Sequence, residues 1–355
     1  MEKTYLHLIN GQRFDGTAFG FAGESDGEVV FTTAMTGYPE GLTDPSFFGQ
    51  ILVFTYPMIG NYGVPKKCHR DDGVCANFES EKIWVKGVVV SDVCHTPSHY
   101  SYAETFSDWL AHEHIPGIAG IDTRRLTQLI RDEGCMRGKI SSRESVTWED
   151  AIVPHAVSSV SCDAPIVYRG KKGSPHILLL DCGVKHGILR SLVDRGYTVT
   201  RVPWNTDPMT IQGWDILMVS NGPGDPKDCP ETIANIKKTL AAGKPYFGVC
   251  LGHQLLGLAI GGDTYKLPYG HRGINQPVQD VDTKKAYVTS QNHGYAVNPE
   301  TLPNGYVPWF INLNDGTNEG IRHATKCIRS VQFHPEGNPG PTDTDWLFDE
   351  LKNAK

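Results

Sequence analysis

The chain has 355 residues, which at roughly 150 residues per domain predicts two domains, or three small ones, and argues against a single minimal module. Apolar residues make up 39% and charged residues 21%, which excludes a disordered, collagen-like or low-complexity chain. With 33 Lys and Arg against 40 Asp and Glu the formal charge is -7, so neither nucleic acid nor an anionic membrane is an expected partner.

The opening MEKTYLHLINGQRF carries charge where a secretory leader needs an unbroken apolar core. No run reaches the roughly 18 apolar residues of a membrane span. The cysteines number nine, an odd count scattered without a dense framework, which predicts reduced thiols and a cytoplasmic protein.

Residues 1–150 mix short strand-like runs, at 28–35, 50–63 and 85–93, with turns, and read as a smaller α+β amino-terminal domain. Helices are predicted over 102–114 and 122–134, the second with Asp122 as N-cap and Gly134 as C-cap. Over 151–175 no period of 2 or 3.6 is sustained and prolines, glycines and a basic run intervene, which predicts a linker. From 176 to 355 the pattern alternates. Strands are predicted at 176–181, 197–202, 215–220 and 245–250, and helices at 184–195, 231–242 and 251–260. This spacing predicts an α/β fold with a doubly wound, mostly parallel sheet. The last third is richer in strands and turns, and a closing helix is predicted over 343–355.

The segment Gly248-Val249-Cys250-Leu251-Gly252 follows an apolar strand and precedes a helix. This is nucleophile-elbow spacing with Cys in place of Ser, and a tight strand-to-helix turn leaves no room for Cβ atoms beside the nucleophile. A helix N-terminus also favours the thiolate. A cysteine nucleophile needs a base, and the base needs an orienting group. In SVQFHPE (330–336), Pro335 biases His334 toward extended geometry, where residues i and i+2 project to one side, so Glu336 can reach back to the imidazole. His253, His293 and His186 compete as bases, but none has a carboxylate at such a spacing, and they rank as packing or substrate-site histidines.

The loop Asn221-Gly222-Pro223-Gly224-Asp225-Pro226 follows the strand at 215–220, so it should face the same crevice as Cys250. It can expose backbone N–H groups to an oxyanion beside the N–H of Leu251, and it can equally be an ordinary turn. Cys94, His95 and His99, or Cys68, His69 and Cys75, match no common zinc framework, and no metal site is expected. Neither a G-x-x-x-x-G-K-[ST] loop nor a G-x-G-x-x-G fingerprint is present.

FGVCLGHQLLGLAIGG, SNGPGDP, TSQNHGYAV and FHPEGNPGP together resemble the class I glutamine amidotransferases. The runs at 27–63, 117–134 and 181–204 are similar to the small, glutamine-hydrolysing subunit of carbamoyl-phosphate synthase, and the resemblance covers nearly the whole chain. It implies Cys250 as nucleophile, His334 as base and Glu336 as its partner, with oxyanion N–H groups from Gly222 and Leu251. It further implies that Gln254, Asn292, Gly294 and Tyr295, with Gly222, Gly224, Leu251 and, from the amino-terminal domain, Ser46, bind glutamine. The expected activity is glutamine hydrolysis through a γ-glutamyl thioester, feeding carbamoyl-phosphate synthesis for arginine and/or pyrimidine biosynthesis. No cofactor is expected in this chain. MgATP and bicarbonate are expected on a large subunit, the expected partner in a heterodimer.

Overall fold

The computed structural model describes residues 2–148 and 155–353. The chain divides into two compact units, Met1–Val153 and Pro154–Lys355.

In the first unit seven strands close into a barrel, in the order Lys3–Leu8, Met136–Ser141, Ser25–Thr32, Gln50–Phe54, Gly87–Val89, Pro116–Ala119 and Arg13–Gly20. Three neighbouring pairs, from Ser25–Thr32 through Pro116–Ala119, run parallel, and the other four are antiparallel. Alternation along the strands feeds two cores. Ile51 and Val53 pack with Leu126 and Ile130. Leu52 and Phe54 pack with Phe106 and Trp109. The helix Thr123–Glu133 starts where the sequence predicts, with the Asp122 carboxylate accepting the Arg125 N–H at 2.9 Å and Gly134 at the C-cap. The other helix is shorter than expected: it spans Phe106–His112, because Thr105 caps it by accepting the Asp108 N–H. Tyr102–Glu104 forms a strand paired with Val64–Pro65 instead. Closure of the strands into a barrel goes beyond the α+β expectation.

The second unit is built on an eight-stranded sheet in the order Ile166–Tyr168, Thr198–Pro203, His176–Asp181, Ile216–Val219, Tyr246–Val249, Ile328–Val331, Gly320–His323 and Tyr306–Pro308. The five strands from Thr198–Pro203 to Ile328–Val331 are parallel. His176–Asp181 pairs with the next strand in sequence on one side and with Ile216–Val219 on the other, so strand order reverses there and opens a crevice at the carboxyl ends. Helices His186–Asp194, Pro230–Ala241 and Leu251–Ala259 fall between the parallel strands as predicted. A second sheet of three strands holds the long hairpin Thr264–Asp280 and Ala286–Val297 together with Phe310–Asn312.

Part of the expected linker is ordered structure. Residues 149–154 lie outside the described residues, but Ala156–Val160 is a helix whose Val157 enters the core of the second unit. Ile166–Tyr168 is an edge strand antiparallel to Thr198–Pro203. Two apolar residues at i, i+3 and a three-residue strand are too short to register as a period. The closing segment is a 3-10 helix, Asp345–Asn353, tied down by Arg195 to Asp345 and Asp349. Among the described residues no helix is long and apolar enough to cross a membrane.

Candidate active site

Cys250 stands between strand Tyr246–Val249 and helix Leu251–Ala259 with φ 52° and ψ -102°. A left-handed φ at a non-glycine residue is strained and persists only where the surroundings impose it. Here the following helix lies directly on the neighbouring strand. The Gly252 N–H donates to Ser220 O at 3.1 Å, and a Cβ on Gly252 would stand 2.2 Å from Val219 O. The elbow glycine thus has the mechanical reason expected of it. The Cys250 side chain is buried, and its thiol donates to Asn292 O at 3.6 Å.

Strand Ile328–Val331 lies parallel and adjacent to Tyr246–Val249, with Val249 opposite Val331 and the Cys250 N–H on Val331 O at 2.9 Å. His334 follows three residues later, anchored by its N–H on Ser290 O. Its Nδ1 meets Glu336 Oε1 at 2.8 Å, and both side chains are buried. The partnership is the expected one but the backbone route differs. Rather than running extended, His334 to Gly337 forms a turn, with the Gly337 N–H on His334 O at 3.2 Å. Pro335 takes the second position of that turn, which its fixed φ suits.

Glu336 Oε1 also meets Lys185 Nζ at 2.9 Å, and Lys185 is only 2% exposed. Burial works against the Glu336 charge, yet Lys185 and His334 hold its carboxyl well below the usual range. Burial likewise opposes a charged His334, but the Glu336 carboxylate outweighs it and raises the imidazole. The other ring nitrogen, Nε2, has no acceptor among the described residues and remains for the thiol. Lys185 escaped the sequence reading. Its only signal was a lysine immediately after the strand end DCGV, and a buried lysine is rare unless paired.

The loop after Ile216–Val219 packs against the elbow. Asn221 is buried and accepts the Lys185 N–H, and a Cβ on Gly222 would stand 2.1 Å from Cys182 O. Neither the Gly222 N–H nor the Leu251 N–H has a hydrogen-bond partner among the described residues. On the other side, Gln254 Nε2 donates to Tyr295 O at 2.9 Å and to Gln332 Oε1 at 3.1 Å. Asn292, Gly294 and Tyr295 share one strand, Ala286–Val297, which meets Cys250 at Asn292 O and Gln254, on the helix after the elbow, at Tyr295 O. Gly224 lies in the loop at φ 89°. Ser46 belongs to the first unit, buried in the short helix Pro45–Phe47. Gln332, fully buried, was not singled out from sequence.

The rival histidines have other partners. His253 Nδ1 meets Ser330 Oγ at 2.9 Å, and burial pushes it down to about 3. His293 Nδ1 meets Tyr295 O at 2.9 Å. His186 is buried at the start of helix His186–Asp194. Among the described residues, His271, His293 and Glu319 form the one group of three potential metal donors that comes together, so the two cysteine-histidine sets considered from sequence do not.

Residues 178–354 match the family model for glutamine amidotransferase class-I, and residues 6–140 match that for the carbamoyl-phosphate synthase small chain, CPSase domain. The chain is 46% identical to a carbamoyl phosphate synthase arginine-specific small chain from Chaetomium globosum, over 99% of this chain and 78% of that one. It is 45% identical to a carbamoyl phosphate synthase small chain from Pyrococcus furiosus, over 99% of this chain and 97% of that one. It is 47% identical to the multifunctional protein CAD of Squalus acanthias, over 97% of this chain and 16% of that one.

Proposed function

The chain belongs to the carbamoyl-phosphate synthase small chain family, and on that premise we propose that its Cys250, His334 and Glu336 hydrolyse L-glutamine and deliver the ammonia to a large subunit. It is the glutaminase subunit of a carbamoyl-phosphate synthase, serving arginine and/or pyrimidine biosynthesis. The observation that carries the catalytic reading is the meeting of a strained, buried Cys250 with the His334–Glu336 pair at the carboxyl ends of adjacent parallel strands.

With its proton held on His334 Nε2, the Cys250 thiolate adds to the side-chain amide carbon of glutamine, moving the carbonyl electron pair onto oxygen. The N–H groups of Gly222 and Leu251 stabilise that oxyanion. Collapse breaks the C–N bond, the leaving nitrogen takes the proton from His334, and ammonia departs from a γ-glutamyl thioester. Water then gives a proton to His334 and adds to the thioester carbon. The second collapse breaks the C–S bond, restoring the thiolate beside the protonated His334, and glutamate leaves. Glu336 stabilises the imidazolium at both stages, and Lys185 keeps Glu336 ionised. Gln254, Asn292, Gly294 and Tyr295, with Gly224, hold the α-amino and carboxylate ends of glutamine.

Bicarbonate and MgATP belong to the large subunit, and no cofactor is assigned to this chain. All nine cysteines are free, which supports a reducing, cytoplasmic location for a thiol enzyme. The test is reconstitution with a carbamoyl-phosphate synthase large subunit. The pair should make carbamoyl phosphate from glutamine or from added ammonia, and Cys250→Ala should lose only the first. Loss of both with the fold preserved, or glutamine hydrolysis indifferent to the large subunit, would overturn the reading.

A further inference from the structure

Asp181 ends the strand His176–Asp181 and is fully buried. Its Oδ1 accepts the N–H groups of Gly183 at 3.0 Å and Val184 at 2.8 Å, an Asx-type turn that Gly183 completes at φ 120°. Its Oδ2 accepts the Cys162 N–H at 2.7 Å and the Arg201 guanidinium, through Nε at 2.8 Å and Nη2 at 2.6 Å. All of these partners donate, so the carboxyl has no acceptor for a proton and stands as a carboxylate. Arg201 offsets the buried charge. The backbone bonds do something else, which is to shape the turn 182–185.

That turn meets both halves of the catalytic apparatus. The Cys182 N–H donates to Ser220 Oγ at 3.0 Å, and Ser220 Oγ donates in turn to Asn221 O at 2.8 Å. The Lys185 N–H donates to Asn221 Oδ1 at 3.1 Å. Cys182 O approaches Gly222 so closely that a Cβ there would stand 2.1 Å from it. At the end of the same turn, Lys185 Nζ reaches Glu336 Oε1 at 2.9 Å. Cys162 follows the helix Ala156–Val160, whose first residue lies against the Gly222 loop as well: a Cβ on Gly224 would stand 3.0 Å from the Ala156 Cβ.

We propose that Asp181 is a positioning residue for glutamine hydrolysis: by holding the turn 182–185 it places the Gly222 loop beside the oxyanion and Lys185 against Glu336, and its bond from the Cys162 N–H braces that turn on the segment 156–162. The inference rests on the reading of the Gly222 N–H as an oxyanion donor. The oxyanion exists only after the thiolate has added. A displaced Gly222 therefore weakens the transition state, while the binding of glutamine by Gln254, Asn292, Gly294 and Tyr295 stays nearly as it was.

The experiment uses the full chain, with an aldehyde analogue of glutamine as the probe. The Cys250 thiolate adds to its carbonyl carbon and the oxygen takes the oxyanion position, with no C–N bond to break. Rates are taken per site titrated with a glutamine-like diazo-ketone, so that unfolded chain does not enter. Asp181→Asn keeps the side chain's size but turns an NH2 toward N–H donors. It should lower kcat about tenfold or more and weaken aldehyde binding by a similar factor, with the KM for glutamine changed less than about threefold. Arg201→Gln leaves the turn's acceptors in place, so it should lower the urea midpoint while kcat and aldehyde affinity stay within about twofold of wild type. Cys162→Pro removes the N–H that Asp181 accepts, after a Ser161 whose φ of -70° and ψ of 155° suit the residue before proline. It should move kcat and aldehyde affinity in the direction of Asp181→Asn, with Cys162→Ala unchanged, and it guards against an Asp181 variant that fails to fold. The proposal is overturned if Asp181→Asn or Cys162→Pro keeps wild-type kcat and aldehyde affinity, or if the loss falls on KM instead. It is equally overturned if Arg201→Gln loses as much kcat as Asp181→Asn, since the ion pair alone would then account for the effect. A wild-type chain that neither hydrolyses glutamine nor binds the aldehyde would instead sink the glutaminase reading itself.

Discussion

Lys185 Nζ lies 2.9 Å from Glu336 Oε1, the same oxygen that meets His334 Nδ1 at 2.8 Å. One carboxylate therefore serves two cations, and all three side chains are buried. Such a triad is stable only while it is complete, because removing one partner leaves an uncompensated buried charge.

Lys185→Met should destabilise the chain by about 3–5 kcal/mol in urea unfolding and lower glutamine hydrolysis. Adding Glu336→Gln should recover stability but not activity. A double variant no more stable than Lys185→Met alone would separate the two residues energetically.

His334→Asn should reduce kcat for glutamine by about 100-fold or more, whereas His253→Asn should remain within about tenfold of wild type, since His253 bonds Ser330 and is kept neutral by burial. Steady-state kinetics at saturating glutamine decides this. An equal loss in His253→Asn would move the base.

Stability should depend on pH from both sides. Glu336 folds with its carboxyl below its ordinary 4.5, because Lys185 and His334 outweigh burial. Its contribution is complete above that value and is lost as pH falls toward the folded one. His334 is raised from 6.5 to about 10, because Glu336 outweighs burial. Its contribution is complete below 6.5 and is lost as pH rises through about 10. Urea midpoints of wild type and His334→Asn should therefore converge as pH rises from neutral to about 10. A constant gap would refute the shift.

Gly252→Ala should cost about 3 kcal/mol, since its methyl would meet Val219 O at 2.2 Å. The helix must retreat from the strand, so reaction of Cys250 with a glutamine-like diazo-ketone should slow as the thermal midpoint falls. An unchanged midpoint would mean the elbow has slack.

The parallel strands and helices of the second half were legible because strand and helix periods are local, and so was Cys250, because the glycines of an elbow sit within two residues of it. Asp122 and Gly134 announced their helix for the same reason, since capping acts across one turn. His334 and Glu336 were legible as a pair from their spacing, although the Pro335 turn that joins them was not.

Other features could not be read this way. Val157 and the strand Ile166–Tyr168 gave too short a pattern to lift 155–175 out of a linker. Lys185, Gln332 and the group of His271, His293 and Glu319 join residues distant in sequence, so their chemistry depends on which strands become neighbours. Sequence alone pointed to the Cys250 elbow, the His334–Glu336 pair and the sheet beneath them, because local sterics and spacing dictate those. The tertiary structure decided the charges around Glu336, because a buried ionic group is tolerated only beside partners that folding brings to it.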